Sequence, residues 1–317
     1  MRRLFALSLS FALLLSSCGS NDGPPTFLDR FEALNRGNPS FGALDTEGVR
    51  RLLDVTPEED EPFFMVNFIQ HREKAIYPDG RETDLTGAQA DNLYGTQMMS
   101  RVLPAHGARL VFGAPVELNL QRTDDTLWDV VGVVRYPGRE GFVSMLESED
   151  FQEIVVHKDA GVEKTLVMFA TPIDLGLPED HLAVDLDSVP TPPAPGDPVT
   201  AIVHLYSFRD KAEYADGRET DLTGKEAVYL YSAGRQEQGV QDLGVRPALW
   251  LDIRGSFLSD DRTWHEVRVN LFPSRSTFWQ VASTADDAGI VHRTAGLADL
   301  YTLVTSPVLN EYGYRQP

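Results

Sequence analysis

Apolar and polar positions along this chain fall into short blocks whose period changes from block to block. Phe63 to Ile69 is an almost unbroken apolar run of strand length. Thr86-Gly-Ala-Gln89 then has the form of a capping box, in which the threonine caps the first amides and the glutamine reaches back. A helix is predicted from there to about Pro104, ended by Gly107. Two strands follow at roughly 108–119 and 126–136. Pro137 suits the first position of another helix, helical segments run to His157, Gly161 suits a helix C-terminal cap, and Thr165 to Ala170 is a last strand. Upstream, Thr46 to Val55 reads as a short helix with an apolar stripe at Val49, Leu52 and Leu53, and residues 19–45 look loose.

The same succession occurs twice. Tyr77 to Gly87 recurs as Tyr214 to Gly224 with ten of eleven positions identical at an offset of 137. Arg72-Glu-Lys-Ala75 matches Arg209-Asp-Lys-Ala212, Tyr94 matches Tyr231, Trp128 matches Trp264, and His157 to Gly161 matches His292 to Gly296. Many matches in one order mark an internal duplication. The expected divisions are a leader at 1–17, a tether with a short helix at 18–60, repeats at 61–172 and 199–308, a linker at 173–198, and a tail at 309–317. The proline-rich stretch Pro190 to Pro198 makes that linker stiff. Each repeat has the order βαββαβ with its second helix broken in two, a ferredoxin-like α+β unit.

Such a unit carries helices on one face of its sheet only. Trp128 to Val134 and Leu166 to Ala170 are nevertheless apolar at nearly every position, the pattern of strands covered on both sides. The second copy is the expected cover, the two sheets packing face to face about a pseudo-two-fold axis and protecting each other's edges.

The ends and the charge narrow the setting. Arg2 and Arg3 precede an apolar run from Leu4 to Leu15, too short for a permanent membrane helix. Leu15-Ser-Ser-Cys18 resembles the bacterial lipobox, which implies cleavage and acylation at Cys18, a membrane partner through that anchor, and a place in the cell envelope. Gly19 and Ser20 point to the outer membrane where there are two. Two or more acyl chains, each methylene worth roughly 0.8 kcal/mol, would hold the protein on a membrane surface. Cys18 is the one cysteine, so disulfides within the chain, thiolate metal sites and cysteine nucleophiles are excluded. The formal charge is −20. Removing Arg2 and Arg3 leaves 26 basic against 48 acidic side chains, or −22, which argues against a nucleic-acid partner.

The apolar strand with Asn67, Tyr77-Pro-Asp-Gly-Arg81, Tyr94-Gly, Gly107, Trp128-Asp, Tyr136-Pro-Gly-Arg139 and a later His-x-x-Ala-Gly together resemble the domain of unknown function 1330 family. That family lies in the dimeric α/β-barrel superfamily, and the resemblance covers about 63–170 and 200–305. It implies an intrachain pseudo-dimeric α/β barrel and no particular activity. Wider relatives include haem-degrading and quinone-forming monooxygenases that use Asn, Trp and His on similar elements. Asn67, Trp128 and His157 invite that comparison, although His157 follows the second helix and the second copy lacks the Asn.

Candidate chemistry follows from what the copies kept and what they changed. Arg81, Glu82 and Asp84, with Arg218, Glu219 and Asp221, sit in the retained loop. They would bind an anionic ligand at a barrel mouth, pair across the halves, or simply serve the turn and cap. His157 and His292 stand near a helix end, where a histidine satisfies terminal carbonyls, and Trp128 and Trp264 open a core strand. No metal spacing, nucleophile elbow or phosphate loop appears, and no cofactor is expected. The copies diverge at Asn67, replaced by His204, and at Val130, Gly132 and Val134, replaced by Glu266, Arg268 and Asn270 at period two. That polar stripe faces solvent, or lines a small-molecule pocket with His204 for which the first copy is the wall. A binding module and a cofactor-independent enzyme using His204 and Glu266 as an acid–base pair are the two functions in view.

Overall fold

The computed structural model describes residues 24–34, 38–284 and 287–315, with the backbone alone at 287 and 288. The expected leader and Cys18 lie outside the described residues. The expected loose stretch holds a helix, α1 (Phe27–Ala33), started by a reciprocal cap between Thr26 and Asp29. A two-residue strand β1 (Ala43–Leu44) and the helix α2 (Thr46–Leu53) follow, and α2 buries Val49, Leu52 and Leu53.

The first repeat runs β2 (Phe63–His71), α3 (Gly87–Gln97), a π turn over Met98–Val102, α4 (Leu103–Ala105), β3 (Arg109–Arg122), β4 (Val130–Tyr136), α5 (Arg139–Glu147), α6 (Glu149–Gly161) and β5 (Val162–Pro172). The second runs β6 (Thr200–Phe208), α7 (Gly224–Glu237), β7 (Arg246–Ser259), β8 (Glu266–Phe272), α8 (Arg275–Ser283), α9 (Asp287–Gly296) and β9 (Leu297–Thr305), and the tail adds β10 (Leu309–Asn310). Both capping boxes are present: Thr86 Oγ1 accepts from Gln89 N at 3.2 Å, and Thr223 Oγ1 from Glu226 N at 3.2 Å.

Eight of these strands close an antiparallel barrel in the order β7-β5-β2-β4-β3-β9-β6-β8, with β8 returning to β7. Each repeat supplies four neighbouring strands, and the seams are β3–β9 and β5–β7. Alternate residues point inward: Phe64, Val66 and Phe68 of β2 meet Val203 and Leu205 of β6, Val267 and Val269 of β8, and Leu303 of β9 in one interior core. The opposite face of β2, with Phe63, Met65 and Ile69, packs under the helices of its own repeat. Strands covered on both sides need apolar residues at every position, which accounts for the unbroken runs.

Both ends of the barrel are filled. Leu182, from the segment expected to be linker, is buried against the interior core beside Tyr312 and Tyr314 of the tail. Arg315 N donates to Leu182 O at 2.8 Å. At the other end the rings of Trp128 and Trp264 close on Tyr301. There Asp124 of the first repeat accepts from Tyr301 Oη at 2.7 Å and pairs with Arg262 at 2.9 Å.

Two helix boundaries differ from expectation. Pro137 does not begin a helix: α5 starts at Arg139, because the carboxylate of the distant Asp60 accepts from the amides of Arg139 and Glu140. Gly161 is the last residue of α6 and is not a left-handed cap. It is glycine because α6 crosses α3 there: a Cβ on Gly161 would lie 2.4 Å from Gly87 O. Gly224 and Gly296 repeat this crossing between α7 and α9.

Candidate functional site

The retained loop is held by its own side chains in both copies. Gly80 and Gly217 take the positive φ of the turn. Arg81 then lies 3.7 Å over the Tyr77 ring, and Tyr77 Oη meets His157 Nδ1 at 2.7 Å. In the second copy Arg218 lies 3.9 Å over Tyr214, and Tyr214 Oη meets His292 Nδ1 at 2.6 Å. The arginines pair with Asp79 and Asp216 of their own loops rather than across the halves. Glu82, Asp84, Glu219 and Asp221 are exposed. Neither histidine serves a helix end as expected, since each ring bonds a tyrosine hydroxyl. Burial, then the charge of Arg81, holds the His157 pKa down.

Trp128 and Trp264 are interior packing residues. Asn67 lies on the opposite face of the sheet, under the helices, and His157 sits against the loop. The Asn-Trp-His comparison therefore fails geometrically: the three side chains serve three separate environments.

The changed positions do come together. Between the sheet and the helices of the second repeat lies a pocket of about 140 Å³ whose walls include His204, Arg268, Asn270, Trp250, Tyr206 and Tyr231. Its lining residues all belong to the second repeat, so the first repeat is not its wall. Arg268 is 2% exposed, and its guanidinium carbon stands 4.1 Å from the Trp250 ring, 4.7 Å from Tyr229 and 5.2 Å from Tyr206. Beneath it the fully buried Glu266 accepts from Arg268 Nε at 2.8 Å, from Tyr229 Oη at 2.9 Å, and pairs with Lys225 at 3.0 Å. Arg268 Nη2, 2.6 Å from Glu266 Oε2, forms no hydrogen bond of good geometry. Burial and the proximity of Glu266 push the Tyr229 hydroxyl up to about 12.

His204 is oriented across the seam between the repeats. Its Nδ1 lies 3.1 Å from Thr302 Oγ1, whose own proton goes to Gln121 Oε1 at 3.1 Å. Arg293 Nη2 also donates to Gln121 Oε1, at 2.9 Å, and to Thr302 Oγ1, at 3.2 Å. With the threonine proton committed to Gln121, Nδ1 must carry the hydrogen it shares with Thr302. The network thus assigns Nε2 as the unprotonated ring nitrogen. Burial first, then the charges of Arg293 and Arg268, hold the His204 pKa well below the ordinary histidine range. The ring is a neutral base beside a cation.

Comparison of the repeats along β8 reveals half of this pocket; comparison along β7 reveals the rest. In the first repeat Gly113 pairs with Gly132, and at the equivalent register Trp250 pairs with Arg268. A glycine pair replaced by a tryptophan and an arginine is a sequence signal in its own right. The corresponding pocket of the first repeat, about 160 Å³, is largely apolar and includes Asn67 and Lys158. Among the described residues no group of three His, Cys, Asp or Glu side chains is placed to hold a metal ion.

No family model and no curated protein matches the chain. Among solved structures, the methylated RPA0582 protein is 34% identical over 39% of this chain and 96% of its own, with a TM-score of 0.34. The RPA0582 structure from Rhodopseudomonas palustris, a protein of unknown function, is 31% identical over 38% of this chain and 96% of its own, with a TM-score of 0.33. By that sequence identity, this stretch of the chain belongs to the same family as RPA0582. A proposed monooxygenase from Lactobacillus acidophilus is 9% identical over 80% of this chain and 97% of its own, at a TM-score of 0.39. A chlorite dismutase variant from Candidatus Nitrospira defluvii is 11% identical over 78% and 92%, at 0.41.

Proposed function

We propose that this protein binds a small planar anion, about one ring in size, in the polar pocket of the second repeat. The observation that carries the reading is Arg268: a guanidinium buried among three aromatic rings, on the wall of a pocket that also holds a neutral histidine. Stacked arginine favours flat, delocalised anions, and Glu266 keeps the cation in place when the pocket is empty. The volume sets the size, since an engineered cavity of about 150 Å³ admits benzene and drug-sized ligands take roughly 300 Å³ or more. A tetrapyrrole exceeds it.

The setting that suits this reading is an acidic, lipid-anchored envelope protein, acylated at Cys18, with an internally duplicated barrel of the domain of unknown function 1330 type. The two repeats then stand to each other as the subunits of a pseudo-dimer, the first specialised for structure and the second for the ligand. The polarity of His204 favours a second reading. A cofactor-independent enzyme would use its Nε2 to take a proton from an acidic C–H or O–H of the ligand, with Arg268 holding the resulting anion.

Calorimetric titration with protocatechuate tests the binding reading. The double variant Glu266→Val with Arg268→Leu removes both charges together, so neither is stranded. Wild type is expected to bind, and the variant to bind at least about tenfold more weakly while keeping its melting temperature within a few degrees. Equal affinity for both proteins would contradict the assignment. Turnover of the probe in wild type, absent in His204→Asn, selects the enzymatic reading.

A further inference from the structure

The first repeat holds a second cavity, with a buried cation that nothing in the polar pocket explains. Lys158, on the inner face of α6, is 9% exposed and lines the cavity of about 160 Å³ beneath α5 and α6. Its Nζ stands 5.6 Å from the Phe41 ring and 5.4 Å from the Tyr94 ring. Among the described residues no carboxylate lies within ion-pair distance of it and no hydrogen bond is made to it. Asp91 of α3 acts on it from further away, bonding His71 Nε2 through Oδ2 at 3.0 Å while its buried Oδ1 makes no hydrogen bond. The equivalent residue of the second repeat, Arg293, is by contrast committed to Gln121 and Thr302. Burying an ammonium without an anion is costly, and burial accordingly holds the Lys158 pKa down. Apart from Asn67 and the tyrosines Tyr94 and Tyr136, the rest of the wall, including Phe142, Phe257 and Leu258, is apolar.

We propose that this cavity is a binding site for a short aliphatic carboxylic acid, its carboxylate on the Lys158 ammonium and its chain among the surrounding rings. The anion completes the ion pair that the fold leaves open, and the apolar wall selects a hydrocarbon tail over a polar one. This site is separate from the polar pocket, so either assignment can fail alone.

The probe is hexanoate, followed through the methyl groups of Met65 and Met145, which line this cavity, with hexanol as the uncharged control of equal length. Hexanoate is expected to shift both methionine signals in the wild-type protein. The substitution Lys158→Met should weaken hexanoate by roughly 30-fold or more while leaving hexanol little changed. The variant's melting temperature should equal or exceed that of wild type, because a buried charge has gone. Should it fail to fold, wild type alone decides, since hexanol must then bind roughly 30-fold more weakly than hexanoate. Absent methionine shifts, equal binding of acid and alcohol, or unchanged hexanoate affinity in the variant would overturn the proposal.

Discussion

Gln121 Oε1 of the first repeat lies 3.1 Å from Thr302 Oγ1 of the second, and through that contact a residue outside the polar pocket fixes the ring inside it. Gln121 is therefore a positioning residue for His204. In wild type the His204 ring should carry its proton on Nδ1, visible in nitrogen NMR of the imidazole. In Gln121→Leu the threonine proton is free to turn toward the ring, and the Nε2–H form should appear. An unchanged tautomer would show that the histidine is oriented by something else.

Each of the two helix crossings fixes a pair of glycines for steric reasons, Gly87 with Gly161 and Gly224 with Gly296. Gly161→Ala places a methyl carbon 2.4 Å from Gly87 O and 2.8 Å from Asp91 N, both on α3. Backbone cannot retreat as a side-chain tip can, so the loss should reach about 3 kcal/mol or more in urea denaturation. A loss under about 1 kcal/mol would mean that the helices separate easily.

Stability should depend on pH through histidines that the fold keeps neutral. Burial is the leading cause of the lowered pKa at His204, His265 and His157. The folded state then binds fewer protons than the unfolded chain, so stability is present above the unfolded value near about 6.5 and is lost as pH falls through it. Melting temperature should be flat from about pH 7 upward and should fall between about 6.5 and 5, before the carboxylates titrate. His204→Asn, which restores the residue of the first repeat, should make that slope shallower. An equal slope in the variant would remove His204 from this account.

Local and repeated features were legible in the sequence. The capping boxes at Thr86 and Thr223 needed only three residues of spacing, and the polar stripe of Glu266, Arg268 and Asn270 needed only a second copy for comparison. Features made by distant partners were not. Asp60 caps α5 across nearly eighty positions, so Pro137 looked like the start. Gly161 read as a cap because nothing local marks where α6 meets α3. Lys158 sits in a helix with acidic and polar neighbours and looks exposed, and only the rings of Phe41 and Tyr94 above it reveal burial. Leu182 lay inside an apparent linker, although it closes one end of the barrel.

Both pockets require the two repeats to share one barrel. Phe257 and Leu258 of the second repeat wall the apolar cavity of the first, and Gln121 of the first holds the histidine of the second. Differential scanning calorimetry of the protein tests this most directly. The shared interior predicts a single transition whose calorimetric and van't Hoff enthalpies agree. Two resolved transitions, one per repeat, would contradict it.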